Sequence, residues 1–378
     1  METVNRILQE KITARIAPNK AVLIFGARRV GKTVMMRKIV DNYSGRTMML
    51  NGEDYDTLAL LENRSIANYR HLLDGIDLLA IDEAQNIPQI GSILKLIVDE
   101  IPGISVLASG SSSFDLLNKT GEPLVGRSTQ FLLTPFSQRE IAQTETALET
   151  RQNLEARLIY GSYPEVVMME NYERKTDYLR DIVGAYLLKD ILAIDGLKNS
   201  SKMRDLLRLI ALQLGSEVSY NELSNLLGVD RGTVETYINL LEKCFVVFRL
   251  DSFSRNLRNE IKKGKKVYFY DNGVRNAVLS NFAPLELRND VGALWENLMV
   301  SERVKRNAYS GNYAQLFFWR THEQQEIDLI EEQDGMLHTF EFKWNGKARS
   351  SQPKVFASSY PSSTYEVITP ENYWAFLK

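Results

Sequence analysis

Cysteine is nearly absent from this 378-residue sequence. Cys244 is the single one, and it stands inside the apolar run Leu240–Leu250. One cysteine cannot form an internal disulfide or a thiolate metal cluster, and its apolar setting predicts a small buried side chain. The sequence therefore excludes a protein stapled by its own disulfides.

Long hydrophobic runs are also lacking. No apolar stretch approaches the length that spans a bilayer. The first twenty residues, Met1–Lys20, contain acidic residues and lack the continuous apolar segment of a signal peptide. We therefore expect a cytoplasmic protein with no membrane partner.

Neither sign of charge dominates. The 46 basic and 48 acidic residues give a net charge of −2, which argues against a protein whose whole surface coats nucleic acid. With 44% hydrophobic and 25% charged residues the chain has the composition of an ordinary folded protein. Its length predicts two or three domains.

Strands and helices alternate over roughly residues 1–135. Short apolar runs predict strands, and helical stretches such as Val34–Tyr43 and Ile93–Glu100 lie between them. This alternation predicts an α/β domain with a parallel sheet and helices on both faces. The predicted strands are Ala21–Phe25, Met48–Leu50, Leu78–Ile81 and Val106–Ala108.

Three further segments follow. Residues 136–200 predict a charged helical extension, in which Tyr178–Ile191 is the clearest amphipathic helix. Residues 201–254 predict three short helices and a strand, the outline of a winged helix-turn-helix, with Ser219 and Glu222 in capping-box spacing. Residues 255–378 mix strands with a helix at Leu294–Lys305 and predict a small α/β domain.

A phosphate-binding loop follows the first predicted strand. The pattern G-x4-G-K-[ST] needs a strand before it and a helix after it, and both are present. Glycines let backbone N–H groups surround a phosphate, the lysine reaches the β- and γ-phosphates, and the hydroxyl ligates Mg²⁺. The loop residues are Gly26, Ala27, Arg28, Arg29, Val30, Gly31, Lys32 and Thr33.

Two acidic residues end the apolar strand Leu78–Ile81. About fifty residues downstream of the loop, this strand places Asp82 beside the Mg²⁺ and Glu83 where it orients or deprotonates the attacking water. Lys32 and Glu83 are thus predicted catalytic residues, and Thr33 and Asp82 predicted metal ligands. The predicted cofactors are ATP and Mg²⁺.

Two further features near this site have alternative interpretations. Ser109 or Ser111, after the next strand, would sense the γ-phosphate or cap a following helix. Arg127 would act as an arginine finger, in its own subunit or across a homo-oligomer interface, or would form a surface ion pair.

An acidic constellation lies near the carboxyl terminus. Glu296 falls on a helix, Asp328 within the predicted strand Glu326–Ile330, and Glu341 and Lys343 on one face of the end of another strand. Carboxylates from adjacent strands can hold Mg²⁺ or Mn²⁺, and a lysine beside them can activate water, as in metal-dependent nucleases. The solvent-exposed face of a β-hairpin without any site would contain the same residue types.

The segment Arg255–Arg275 is locally basic, with seven basic residues against two acidic ones. It would contact the phosphates of DNA or another nucleic acid, or serve as a solvated linker. The second and third helices of the winged-helix segment leave the same choice open. Among the candidate recognition residues of the third helix, Arg231 is the one cation beside Thr233, Glu235, Thr236 and Asn239. This module would therefore bind DNA or only pack.

These residues together resemble a bacterial and archaeal family of AAA-type P-loop ATPases with a C-terminal PD-(D/E)XK nuclease-like domain. The resemblance covers nearly the whole chain, although Asp328 follows Glu-Ile rather than proline. The matching segments are Gly26–Thr33, Asp82–Gln85, Gly110–Ser113, Gly126–Arg127, Leu133–Ser137, Lys266–Gly273, Trp295–Asn297, Trp319–Arg320, Glu326–Asp328 and Glu341–Lys343.

The resemblance implies a restriction-endonuclease-like fold for the last domain, with Glu296, Asp328, Glu341 and Lys343 as its site. It also implies that Arg127 lies near the γ-phosphate. Our hypothesis is an ATPase whose nucleotide state controls a nucleic-acid-binding or nuclease-like module. The alternatives are a DNA- or protein-binding switch with an inactive nuclease-like domain, and a scaffold that binds nucleotide structurally.

Overall fold

The structure, a computed structural model, describes residues 4–111, 124–187, 200–254, 264–321, 323–347 and 350–378. The chain divides into two compact units, which are described separately. The first unit comprises Met1–Phe136 and Lys243–Phe245, and the second comprises Ser137–Glu242 and Val246–Lys378. Within the described ranges, no helix combines the length and apolar character needed to cross a membrane.

The first unit alternates strands with helices. A single 3-10 turn, Ala84–Asn86, follows the third strand. In chain order the elements are α1 (Leu8–Thr13), β1 (Lys20–Phe25), α2 (Lys32–Asp41), β2 (Thr47–Asn51), α3 (Tyr55–Glu62), α4 (Ile66–Leu72), β3 (Leu78–Asp82), α5 (Ile90–Glu100), β4 (Ser105–Gly110) and β5 (Ser128–Leu132).

All five strands form one parallel sheet in the order β2-β3-β4-β1-β5. The parallel sheet and its first four strands confirm the sequence prediction. Strands β3 and β4 are buried throughout, as expected of strands covered on both faces. Strand β5 was not predicted, because Ser128–Leu132 is a half-exposed edge strand without a continuous apolar run.

Helix α5 anchors one face of this sheet. Ile90, Ile93, Leu94, Ile97 and Val98 recur at helical spacing, and each is at most 2% exposed. They belong to one apolar cluster that also includes alternate residues of β1 and β3. The helix thereby packs against the face of the sheet that these alternate residues form.

The second unit begins with short helices and continues into a mixed sheet. A π-helical turn, Ile182–Leu187, follows α10, and a 3-10 turn, Leu285–Leu287, precedes α15. Its elements are α6 (Gln138–Ile141), α7 (Ala147–Gln152), α8 (Leu154–Tyr160), α9 (Pro164–Met168), α10 (Tyr172–Asp181), α11 (Ser200–Leu212), β6 (Glu217–Val218), α12 (Tyr220–Leu227), α13 (Arg231–Lys243), β7 (Val247–Ser252), β8 (Lys265–Phe269), α14 (Asn272–Val278), α15 (Val291–Ser310), β9 (Gln315–Arg320), β10 (Glu326–Gln333), β11 (Met336–Phe342), α16 (Lys354–Ser359), β12 (Thr364–Ile368) and α17 (Tyr373–Leu377).

The seven described strands of this unit form a single sheet in the order β12-β11-β10-β9-β7-β8-β6. Pairs β11–β12 and β7–β9 are parallel, and the other pairs are antiparallel. Strands on both sides of the predicted boundary between residues 254 and 255 therefore belong to one sheet. Ser219 caps α12 as its spacing predicted, accepting a hydrogen bond from the Glu222 amide at 3.3 Å.

Helix α15 is the longest described helix, and it extends the predicted helix Leu294–Lys305 at both ends. Trp295 is fully buried on it. The amide of Asn297 accepts from the Phe269 N–H at 2.8 Å and donates to its carbonyl at 3.1 Å, so it binds the end of β8 as a neighbouring strand would. Arg303 forms a buried ion pair with Glu331 of β10. These contacts orient the face of α15 that bears Glu296.

Removing a core side chain of the first sheet tests this packing. Leu23 of β1 is fully buried, and Leu23→Ala is expected to lower the free energy of unfolding by about 2–5 kcal/mol, since it removes apolar contacts and leaves a cavity. Urea unfolding followed by circular dichroism measures the change. Leu60→Ala is the control, because Leu60 is 44% exposed and its loss should cost within about 0.5 kcal/mol. Equal losses in both variants would contradict the packing.

Candidate nucleotide site and carboxylate cluster

The loop between β1 and α2 is shaped by its two glycines. A Cβ atom on Gly26 would lie 2.1 Å from the carbonyl oxygen of Leu133, so the close approach of the chain after β5 requires glycine. Gly31 has a φ of 95° and is the N-cap of α2. The loop therefore ends at the N-terminus of a ten-residue helix, where the helix dipole favours an anion.

Lys32 closes this loop. Its side chain is buried, and Nζ donates to the carbonyl oxygens of Gly26 at 2.9 Å and Ala27 at 3.0 Å. Thr33 follows it in the first turn of α2 and is half-buried. An ammonium group held by neutral carbonyls can exchange them for phosphate oxygens, since a charged acceptor binds it more strongly.

Arg6 supports the loop from the N-terminal segment. It is 8% exposed, its guanidinium donates to the carbonyl of Val30 at 3.3 Å and to that of Thr134, and it lies 4.7 Å from the centre of the Phe136 ring. Arg6 thus ties the loop to the chain that follows β5. The sequence analysis missed it, because a lone arginine before a helix gives no motif.

Asp82 lies at the same edge of the sheet as the loop, because β1 and β3 run parallel. Strand β4 lies between β1 and β3, so Ser109 near the end of β4 stands beside Asp82. The Ser109 hydroxyl donates to Asp82 Oδ1 and accepts from the Glu83 N–H at 3.2 Å. The aspartate is buried, at 6% exposed. Hydroxyl and carboxylate oxygens of this kind are the donor set that suits Mg²⁺.

Glu83 is held by its own turn. It has a φ of 49°, and its Oε2 accepts from the side-chain amide of Gln85 at 2.6 Å. The same amide donates to the Ser111 hydroxyl at 3.2 Å, and its oxygen accepts from the Ser111 N–H at 3.3 Å. Gln85 therefore connects Glu83 to the end of β4. Gln85 lies in the segment Asp82–Gln85 that resembles the ATPase family, but no role for its side chain follows from the sequence.

Ser109 thus contacts the acidic strand end directly, and Ser111 is connected to it through Gln85. The predicted role of these serines as sensors of the γ-phosphate stays a prediction. The alternative, that they cap a following helix, also stays a prediction, because residues 112–123 lie outside the described residues.

Arg127 lies at the opposite edge of the sheet. It precedes β5, and its carbonyl accepts from the N–H of Ala21 at the start of β1, whereas the phosphate loop follows the end of β1. Its exposed side chain pairs with Asp99 at 2.5 Å. The length of β1 separates Arg127 from the phosphate loop of its own subunit, and its side chain forms a surface ion pair. The predicted role of Arg127 as an arginine finger stays a prediction.

The second unit brings together the four residues of the predicted acidic constellation. Asp328 is buried, and its Oδ2 accepts from the Phe342 N–H at 2.8 Å. Burial, together with the nearby Glu296 and Glu341, raises the pKa of Asp328 well above its ordinary value. Lys343 pairs with Glu341 at 2.6 Å, and the other oxygen of Glu341, Oε2, is buried without a hydrogen-bond partner.

Three further residues enter this carboxylate cluster that the sequence analysis did not place there. Lys266 Nζ lies 3.0 Å from Glu296 Oε1 and 2.5 Å from Glu326 Oε1. The Tyr268 hydroxyl donates to Glu296 Oε1 at 2.6 Å. The period-two spacing of Lys266 and Tyr268 on β8 was the available signal, because alternate strand residues share a face.

The predicted metal site is not formed. In the described ranges, which include Glu296, Asp328 and Glu341, no three acidic, histidine or cysteine side chains are placed to hold a metal ion. The physical reason is that these carboxyl groups already have internal partners: Lys266 and Tyr268 for Glu296, a backbone N–H for Asp328, and Lys343 for Glu341.

The basic segment is only partly described, since residues 255–263 lie outside the described ranges. The other basic residues in it have acidic partners within the chain. Lys265 pairs with Asp251 at 3.2 Å, Lys266 lies in the carboxylate cluster, and the buried Arg275 pairs with Asp290. These three positions are therefore engaged within the chain, and contact of the segment with nucleic acid stays a prediction.

Comparison with known protein families divides the chain into three matched regions. Residues 18–142 match an AAA domain, residues 151–285 a domain of unknown function (DUF8612), and residues 291–372 another domain of unknown function (DUF4143). The first match covers the parallel sheet and the phosphate loop. Residues 18–142 therefore form an AAA-type domain with the fold of a P-loop NTPase.

Two similar proteins are described as uncharacterized. A Mycobacterium tuberculosis protein is 25% identical over 89% of this chain and 72% of its own, and a Methanocaldococcus jannaschii protein is 21% identical over 86% and 75%. Among solved structures, a STAND-type ATPase with a tetratricopeptide repeat sensor from Pyrococcus horikoshii has 12% identity and a TM-score of 0.31. The match covers 83% of this chain and 48%, about half, of that protein. The RuvB A156S mutant of Thermotoga maritima has 16% identity and a TM-score of 0.32 over 74% and 93%.

The glycine that opens the loop offers a direct test of its geometry. Gly26→Ala is expected to lower the free energy of unfolding by about 1–3 kcal/mol, because the new methyl group overlaps the Leu133 carbonyl. Gly292→Ala is the matched control. Gly292 is exposed in the first turn of α15 with open space around it, so alanine there should be neutral or stabilising by up to about 1 kcal/mol. A neutral Gly26→Ala in urea unfolding would contradict the loop geometry.

Proposed function

We propose that this chain binds and hydrolyses ATP with Mg²⁺, and that its nucleotide state controls the binding of a partner by the second unit. The observation that carries the proposal is the convergence of Lys32, Asp82 and Glu83 at one edge of a parallel sheet. A phosphate-binding loop alone would support nucleotide binding. Asp82 and Glu83, which lie on the other side of β4, supply the Mg²⁺ ligand and the base that hydrolysis also needs.

Each group of the site has a role in this proposal. Backbone N–H groups of the loop and Lys32 bind the β- and γ-phosphates. Thr33 and Asp82 would hold Mg²⁺, which neutralises charge on the phosphates when it is bound. Glu83 orients the attacking water and accepts its proton. Ser109 keeps the Asp82 carboxylate in place through its hydroxyl.

Gln85 couples hydrolysis to the rest of the domain. Its amide binds Glu83 and both polar groups of Ser111, so a shift at the end of β4 moves the Glu83 carboxylate.

An arginine acting on the γ-phosphate has to come from somewhere other than Arg127 of the same chain. The place of Arg127 leaves it only a role toward a neighbouring copy in a homo-oligomer.

We further propose that the second unit is a binding module. The order α11-β6-α12-α13-β7-β8, with β6 and β7 both antiparallel to β8, supports the predicted winged helix. The carboxylate cluster is arranged as ion pairs, which favours the switch with an inactive nuclease-like domain over an active nuclease. Nucleic acid is one candidate partner and protein is the other.

One contact weakens the nucleic-acid interpretation of α13. Asn239, a polar residue of this helix, accepts a hydrogen bond from Arg249 at 2.7 Å, and Arg249 also pairs with Glu242. Both polar groups are therefore engaged inside the module. The helix is left with few groups that could recognise bases.

The ATPase proposal is tested with two variants and two controls. Lys32→Ala is expected to weaken ATP binding at least tenfold and to abolish turnover, because it removes the cation that contacts the phosphates. Glu83→Gln should bind ATP as well as the wild type does, but its turnover rate should fall by a factor of about 100 or more. Lys38→Ala, at the other end of α2, and Glu62→Gln, exposed on α3, should leave both quantities unchanged.

Turnover that survives in Glu83→Gln would remove Glu83 from the mechanism. Nucleotide binding without turnover in the wild type, with or without DNA, would support the alternative of a structurally bound nucleotide.

Control of the second unit is tested by measuring affinity for DNA in two nucleotide states. Glu83→Gln with ATP holds the triphosphate state, and wild type with ADP gives the diphosphate state. A regulated DNA-binding module should show affinities that differ about fivefold or more, since coupling free energies are usually about 1–3 kcal/mol. Equal affinities in fluorescence anisotropy would exclude nucleotide control of DNA binding, and weak binding in both states would point to a protein partner.

A further inference from the structure

A buried lysine lies where the carboxylate cluster of the second unit is most crowded. Lys266 is fully buried, and its Nζ is 3.0 Å from Glu296 and 2.5 Å from Glu326. It also lies 5.5 Å from the centre of the Phe318 ring, whose face adds a further attraction for a cation. The ammonium group thus bridges carboxylates from α15 and β10 as a metal ion would.

The charges around Lys266 nearly cancel without any ion from solution. Lys343 pairs with Glu341 at 2.6 Å, and Arg320 lies 3.8 Å from the second oxygen of Glu326. Three cationic side chains therefore face the carboxyl groups of Glu296, Glu326, Glu341 and Asp328. A divalent cation entering this cluster would have to displace Lys266, which is already paired and fully buried.

The alternation of side chains along β8 places Lys266 in the carboxylate cluster. Lys266 and Tyr268 point to the same face, and both contact Glu296 Oε1. Their neighbour Lys265 points away and forms an exposed ion pair with Asp251. Adjacent lysines on one strand thus have different environments. This contrast shows that the position of Lys266 is set by the fold and not by the general charge of the segment.

We propose that the Lys266 ammonium group is a built-in cation that takes the place of a divalent metal among Glu296, Glu326 and Asp328. The second unit accordingly binds no divalent metal at this cluster and cleaves no phosphodiester there. This inference extends the binding-module part of the proposed function and is independent of ATP turnover.

The test measures Mn²⁺ binding to the nucleotide-free full-length chain by electron paramagnetic resonance of the free ion. The wild type is expected to bind no Mn²⁺ at this cluster, so that Asp328→Asn leaves its titration unchanged. Lys266→Met removes the charge at nearly the same volume, and its Mn²⁺ binding should become at least tenfold tighter as the metal occupies the vacated position. Lys265→Met loses the same charge from the same strand and should bind Mn²⁺ as the wild type does.

Two results would overturn the proposal. One is stoichiometric Mn²⁺ binding by the wild type that is lost in Asp328→Asn. The other is a folded Lys266→Met, shown by circular dichroism, that gains no affinity for Mn²⁺. If Lys266→Met does not fold, the wild-type and Asp328→Asn titrations decide alone. An inactive ATPase would refute the proposed hydrolysis and leave these titrations unaffected.

Discussion

The parallel arrangement of the first sheet is the constraint on which the nucleotide site depends. Parallel strands end at the same edge, so the loop after β1 and the acidic residues after β3 face one another only because no strand between them reverses. Strand β4 separates β1 from β3 and supplies Ser109 to Asp82. The same rule displaces Arg127, because a residue before a parallel strand lies at the far edge.

The second unit depends on a different constraint, the pairing of buried charges. Lys266 with Glu296, Arg303 with Glu331 and Lys305 with Glu302 are almost entirely withdrawn from water. Removing one member of such a pair costs about 3–5 kcal/mol, because its partner is left charged and unsolvated. Helix α15 contributes a residue to each pair. The orientation of this helix is therefore set by charge as much as by Trp295 and its apolar contacts.

Much of the first unit could be predicted from the sequence, since buried parallel strands are continuous apolar runs and the phosphate loop is a local motif. Edge strand β5 escaped prediction, because its residues contact a neighbour on one side only and carry no apolar signature. The place of Arg127 depends on that strand. In the carboxylate cluster the residue types were predicted correctly, but their partner Lys266 lies 30 residues before Glu296 and looked like part of a basic run. Such long-range pairing leaves no periodicity in the sequence.

Two buried lysines show how the fold gives one residue type opposite uses. Lys32 is held by the carbonyl dipoles of Gly26 and Ala27, which carry no net charge. An incoming phosphate replaces them with a stronger acceptor, so the resting contacts favour exchange. Lys266 is held by the formal charges of Glu296 and Glu326, and no neutral or anionic ligand offers it a better partner. In the proposed function the first lysine exchanges these contacts for a phosphate, whereas the second completes the structure of its own domain.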